Sequence, residues 1–301
     1  MNIITVTNQI LMLFIITGVG WFLQKRKVLT DPVIKGINSV VLQAAWPAMI
    51  LSTTQKKCTP ETLKGFFTVA AVSAAILALA CGAICLVLAR RNVSAAPVYV
   101  VLSVMPNAGF VGLPIIQAVY GDTGLLYLAA FLVGFNLILW TVGVFLFTGV
   151  SAGSLRCLLN PGLIAAVVGT LLFVAGVALP APLLSTVNQL GALTTPLSML
   201  LLGARLPRVK PQALRSPRVW SAVALKLLAL PTITLAVMRL LRVDAVLTGV
   251  AVLSMAMPAA SAAQMLAEKY DDDVEFSVQG VSASMLLCIV TVPLIVLLLS
   301  I

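Results

Sequence analysis

Histidine is missing from this chain, and only nine of its 301 residues are Asp or Glu. The first absence removes the commonest acid/base group and metal ligand. None of the nine acids falls inside an apolar run; all sit in loops or at the ends of runs. Chemistry within a membrane needs paired carboxylates or a nucleophile beside a base, and the sequence offers neither, so it argues against an enzyme. The five cysteines, Cys58, Cys81, Cys85, Cys157 and Cys288, have neither metal-ligand spacing nor the density of a disulfide framework. No metal and no cofactor are expected. Long polar loops are also lacking, which leaves no room for an attached soluble domain. Alternating polar and apolar positions are scarce, which speaks against a β-barrel. The first apolar run has no basic segment before it; Lys25, Arg26 and Lys27 follow it instead. That order predicts an uncleaved first span, not a removable signal peptide.

What the chain has is apolar length. Hydrophobic residues make up 61% of it, charged residues 9%, and the mean hydropathy is +1.12. Runs of eighteen or more apolar residues recur from end to end, the mark of membrane-crossing helices. The expectation is an all-α integral membrane protein of about ten spans joined by short loops. The net charge of +10 does not point to nucleic acid, because the cations sit in loops between spans. Lys25, Arg26, Lys27, Lys35, Arg90, Arg91, Arg156, Arg205, Arg208, Lys210, Arg215, Arg218 and Lys269 fall on one side. Lys56, Lys57, Lys64, Arg239 and Arg242 fall on the other. The richer side is expected in the cytoplasm, with both termini outside and the cell (inner) membrane as the location.

One run is unlike the rest. Ala95–Ala118 is long enough to cross a bilayer, yet Pro106, Asn107, Gly109, Gly112 and Pro114 interrupt it. Proline lacks an amide donor and crowds the carbonyl four residues back, so Pro106 frees the carbonyl of Leu102 and Pro114 that of Phe110. In lipid such backbone persists only against protein or a wet cavity. The stretch reads either as a helix broken around a binding site or as a kinked helix packed through its glycines.

The chain also reads as doubled. M-P-N-A at Met105–Ala108 recurs as M-P-A-A at Met257–Ala260, and Pro47 is matched by Pro196 at nearly the same offset. Residues 1–150 then form one five-span half and 151–301 a second. An odd number of spans per half inserts the second half upside down. Paired interruptions in inverted repeats are a sequence pointer to a transporter site near the midplane. Ala259 stands where the first half has Asn107, so the halves differ chemically, and facing half-helix N-termini would suit an anion.

Candidate site residues follow. Asn107 is placed first for substrate contact, since an amide can orient a carboxylate or cap freed backbone. Lys226 is the one charge well inside a span. Its partner would be an anionic substrate or freed carbonyls, and a snorkelling stem is the alternative. Asn136, Ser261 and Gln264 read as site residues or as glue between helices. Gly109 and Gly112 read as points of close approach. The acidic stretch Glu268, Asp271, Asp272, Asp273 and Glu275 lacks EF-hand spacing and reads as a solvated loop.

At these residues the chain resembles the auxin efflux carrier family, including its bacterial malonate and malate carriers. The resemblance is carried by P-N-A-G-F-V-G-L-P at Pro106–Pro114 and by M-P-A-A-S-A-A-Q-M-L-A-E-K-Y at Met257–Tyr270. S-A-S-M-L-L-C-I-V-T-V-P-L at Ser282–Leu294 and K-L-L-A-L-P at Lys226–Pro231 add to it. It implies two inverted five-helix repeats whose fourth and ninth helices are broken and cross. It implies a scaffold of helices one, two, six and seven, and a transport domain of three to five and eight to ten. It implies a homodimer and elevator-type alternating access. Ser151–Asn160 is short, unlike the long loop of plant members. The expected function is secondary transport of small organic carboxylate anions; an anion channel or a ligand-sensing membrane protein is the alternative.

Overall fold

A computed structural model describes residues 3–55, 58–90, 97–149, 161–208, 216–270 and 272–300. The cations Lys56, Lys57, Arg91, Arg156, Lys210 and Arg215, the loop Ser151–Asn160, Cys157 and Asp271 lie outside them. The first half comprises α1 (Ile3–Lys25), α2 (Asp31–Val40), α3 (Trp46–Thr53), α4 (Pro60–Arg90), α5 (Pro97–Val104), α6 (Leu113–Ile138) and α7 (Val144–Thr148). The second comprises α8 (Pro161–Ala175), α9 (Ala181–Ala192), α10 (Thr194–Arg205), α11 (Pro217–Ala224), α12 (Leu230–Leu240), α13 (Ala245–Ala256), α14 (Ser261–Tyr270) and α15 (Val274–Ser300). Among the described residues there is no strand, only one isolated bridge between Pro106 and Ala259.

Proline shapes these helices in a repeated way. Three π-helical turns, Val41–Ala45, Ala108–Gly112 and Leu225–Ala229, are each followed by one residue and then a proline. Those prolines are Pro47, Pro114 and Pro231, each in the first turn of the next helix. A proline pushes on the carbonyl four residues before it, here that of Gln43, Phe110 and Leu227, the middle residue of each π turn. Widening the turn relieves the clash and rotates the side chains that follow. A fourth π turn, Leu139–Gly143, has no proline after it.

By length and composition five stretches among the described residues can cross a membrane. They are Asp31–Thr53, Pro60–Arg90, Ala108–Thr148, Pro217–Leu240 and Val274–Leu299. Three shorter apolar helices accompany them, Leu11–Lys25, Pro161–Ala175 and Ala245–Ala256, and breaks divide other runs. Gly121, at φ +59°, turns the chain inside the run from Ala108 to Thr148, a conformation that costs glycine little. Elsewhere Leu193 and Met257–Ala260 divide apolar runs into shorter pieces.

Packing gathers the elements around the interrupted segments. α1 lies along α10, α4 along α6, and α3 between α8 and α9, while α13 packs on both α6 and α12. Close approach is bought with glycine where α3 meets α9: a Cβ on Gly191 would come within 2.9 Å of the Met49 backbone. Exposed Leu, Ile, Val and Phe cover the outer faces of α1, α4, α8 and α15, as expected where lipid is the solvent.

Candidate functional site

Two broken helices meet at the centre of the structure. α5 ends at Val104 and α13 at Ala256, and each is followed by a proline, Pro106 or Pro258. In an unbroken helix Asn107 would donate to Ser103 and Ala260 to Ala256. Instead the Asn107 amide donates to the Pro258 carbonyl at 2.7 Å, and the Ala260 amide to the Met105 carbonyl at 2.8 Å. The two breaks thus form one antiparallel bridge centred on Pro106 and Ala259. Pro106 fits here because both bonds fall on its neighbours and none needs its missing amide. In the bridge Pro106 faces Ala259 and Asn107 faces Pro258; by the M-P-x-A repeat Ala259 remains the counterpart of Asn107.

Side chains cap what the bridge leaves over. The Met255 carbonyl and the Ala259 amide would bond each other in a continuous helix. Here the Lys226 ammonium donates to the Met255 carbonyl at 2.6 Å, and the Ala259 amide donates to Ser284 Oγ at 3.0 Å. The Asn107 carbonyl starts the next helical segment by accepting from Val111 at 3.0 Å.

Beside the bridge lies a cavity of about 350 Å³. Pro106, Asn107 and Phe110 form one wall, and Ala260 with Ser261, Ala262 and Met265 from the first turns of α14 a second. Phe135, Asn136, Leu139 and Trp140 form a third, and Lys35, Asn38, Ser39, Leu42, Gln43 and Trp46 a fourth. The π turns explain the placing: Trp46 follows the first, Phe110 is within the second, and Asn136 and Trp140 flank or enter the fourth. Asn107 donates to Ser261 Oγ at 3.4 Å, a long bond a ligand can replace. Asn136 is held firmly, donating to the Leu132 carbonyl at 2.8 Å and accepting from Trp140 Nε1 at 3.2 Å. Trp46 stands edge-on to Phe110 with ring centres 4.5 Å apart. It reaches that position because a Cβ on Gly109 would lie 2.8 Å from its ring. The cavity is therefore mostly apolar and aromatic, with amides and hydroxyls contributed by the bridge, by the face of α2 and by Asn136. Helix N-termini such as that of α14 also leave amides without intrahelical partners.

Family comparison accounts for this architecture. A family model described as "Membrane transport protein" matches twice in succession, over residues 5–156 and 154–296. The chain belongs to this auxin efflux carrier-type membrane transport family. An uncharacterized transporter of Methanocaldococcus jannaschii is 23% identical over 284 residues, covering 89% of this chain and 90% of that protein. The double match fits a membrane protein with repeats, and a multi-pass membrane transport protein is what the family and the apolar helices together support.

Within this family member the residues singled out from the sequence divide into two groups. Asn107, Asn136, Ser261 and Pro106 come together around the cavity. Lys226, Gln264 and Pro258 do not line it. Lys226 is fully buried at the Met255 carbonyl, so a freed carbonyl, not a snorkelled position at the headgroups, takes its charge. Gln264 is buried and donates to Glu268 Oε1 at 3.0 Å. Pro47 and Pro114 start helices after π turns, and Pro196 lies in the first turn of α10. Gly112 would place a Cβ 3.1 Å from Met257 Cγ and so lets the two breaks close on each other.

The polar face of α2 was missed. Lys35, Asn38, Ser39 and Gln43 share the cavity wall, and Gln43 donates to Ser39 Oγ at 2.7 Å. The signal was present: positions 35, 38, 39, 42, 43 and 46 follow the helical repeat of three and four. In the sequence Lys35 reads only as a topology charge. The acidic stretch forms ion pairs: Asp273 accepts from Arg218 at 2.7 Å, and Glu268 lies 3.6 Å from Arg205. Among the described residues no cluster of acidic or sulfur ligands could hold a metal ion.

Proposed function

We propose that this protein is a secondary transporter of small organic carboxylate anions, binding its substrate in the cavity beside the bridged breaks. The observation that carries the reading is the meeting of the two broken helices at a cavity where Asn107, Asn136 and Ser261 supply the polar contacts. Amide and hydroxyl donors with the N-terminal turn of α14 suit a carboxylate, and the aromatic walls suit an organic body. Lys226 serves the site indirectly, by capping the break that presents Ser261.

The family resemblance supplies the motion. The two halves, residues 1–150 and 151–301, are inverted repeats of five helices with crossing breaks. Helices one, two, six and seven form a scaffold, and the other helices carry the site across by an elevator movement in a homodimer. The cation-rich loops face the cytoplasm and both termini lie outside the inner membrane. In that orientation Lys35 marks the cytoplasmic mouth of the cavity.

Uptake of labelled malonate, malate and indole-3-acetate into proteoliposomes tests the proposal. Saturable uptake with counterflow is expected for at least one of them, and Asn107→Ala is expected to lower it by about tenfold or more, the scale of one lost charge-assisted hydrogen bond. Conduction without counterflow would indicate a channel. Binding of these anions without uptake would indicate a sensor.

A further inference from the structure

The cavity described above carries amide and hydroxyl side chains, but the intramembrane lysine does not line it. An organic anion leaving water for a mostly apolar cavity needs a counter-charge, and Lys226 already serves the Met255 carbonyl. Among the described residues Lys35 is the one charged side chain on the cavity wall. It lies on the α2 face that continues through Asn38, Ser39 and Gln43 to Trp46. On a helix the stretch from Lys35 to Trp46 spans roughly 16 Å.

Lys35 also lines a second cavity of about 350 Å³, together with Asp31, Arg205 and Glu268. The Glu268 carboxylate there is shared, lying 3.6 Å from Arg205 and accepting from Gln264 at 3.0 Å. Lys35 is exposed, and no hydrogen bond or ion pair among the described residues holds its ammonium. A flexible four-carbon stem carrying an uncommitted charge between two adjoining cavities can turn toward either.

We infer that Lys35 is the residue that reads the charge of the substrate. It meets the carboxylate in the outer cavity and turns with it into the inner one, where Asn107 and Ser261 take over. The inference rests on the transport reading above and names a charge-selecting residue for that same site. Glu268 is held by Arg205 and Gln264, and Asp31, which lines the same cavity, has an interaction of its own, so neither acid is free to claim Lys35.

The test uses proteoliposomes of the full chain and whichever of malonate, malate and indole-3-acetate the unaltered protein carries best. Lys35→Gln is expected to raise KM about tenfold, the effect of a partly screened counter-charge, while the maximal rate stays within about twofold. Lys35→Arg should keep KM within about threefold, and Lys35→Glu should abolish saturable uptake. Single-cysteine labelling from each side scores insertion for every variant. An unchanged KM in Lys35→Gln, or a loss of uptake explained by inverted insertion, overturns the role of Lys35 and leaves the transport reading intact. If the unaltered protein carries none of the three anions, the transport reading falls and Lys35 with it.

Discussion

The two breaks share a motif but are finished differently. In the first, the amide released by the missing helical turn, that of Asn107, is taken by the other break at Pro258. In the second, the equivalent amide, that of Ala259, goes to Ser284 on α15, and the carbonyl it abandons goes to Lys226 between α11 and α12. The second break is therefore tied by side chains to two neighbouring helices. The first contributes its own side chain, Asn107, to the cavity. Both interruptions reach the cavity, the first through Asn107 and the second through Ser261, but the second is the one braced by Lys226 and Ser284, which is how a nearly repeated sequence yields an asymmetric site.

The largest effect should come from removing the brace. Lys226→Ala deletes a fully buried side chain and leaves the Met255 carbonyl without its donor. Buried truncations of this size cost about 2–5 kcal/mol, and an orphaned buried acceptor about 1–3 more. Lys226→Met keeps most of the volume and also removes a costly buried charge, so its loss should be clearly smaller. Thermal unfolding in detergent, followed by tryptophan fluorescence, should rank the wild type above Lys226→Met and Lys226→Ala lowest. Equal losses in the two variants would mean that the charge, not the volume, braces the break. An unchanged Lys226→Ala would remove the distinction between the two breaks altogether.

Ser284→Ala probes the same brace from its other end. It strips the acceptor from the Ala259 amide and removes a hydroxyl that donates to the Val281 carbonyl. Only the amide is left in need, since the Val281 carbonyl retains its place in the helix. The expected loss is about 1–3 kcal/mol, below that of Lys226→Ala. The same thermal scan checks it, and Ser284→Thr should restore part of the loss because the hydroxyl is kept. A loss as large as that of Lys226→Ala would place the weight of the brace on α15 instead.

How much of this could be read from the chain depends on how local the cause is. Proline acts within one turn, so the interruptions at Pro106 and Pro258 were visible, as were the glycines that allow close approach. The register of the bridge was not visible. The M-P-x-A repeat says which residues of the two breaks are equivalent, not which face each other, and the facing of Pro106 and Ala259 is set by hydrogen bonds between the breaks. The partner of Lys226 was open for a similar reason: a carbonyl freed elsewhere in the chain leaves no trace beside the lysine. The α2 face was written plainly at positions 35, 38, 39 and 43, but a lysine near a span end has a sufficient explanation in topology, and that explanation hid the cavity wall.

The smallest effect lies one turn before the second break and tests whether its bracing is complete. Ser254 is fully buried, and its hydroxyl has no hydrogen-bond partner among the described residues. Its own carbonyl is the one that Pro258 deprives of a helical donor. Ser103, just before the first break, is equally buried but donates to the Tyr99 carbonyl at 2.7 Å. Replacing Ser254 by Ala removes a desolvated hydroxyl that earns nothing in return, so stability should stay within about 0.5 kcal/mol of the wild type or rise slightly. Ser103→Ala should cost about 0.5–1.5 kcal/mol, the value of an ordinary buried hydrogen bond. The pair is best measured side by side in one thermal series. If Ser254→Ala proves the more costly of the two, its hydroxyl has a partner in another position of the broken helix, and the bracing of the second break includes it.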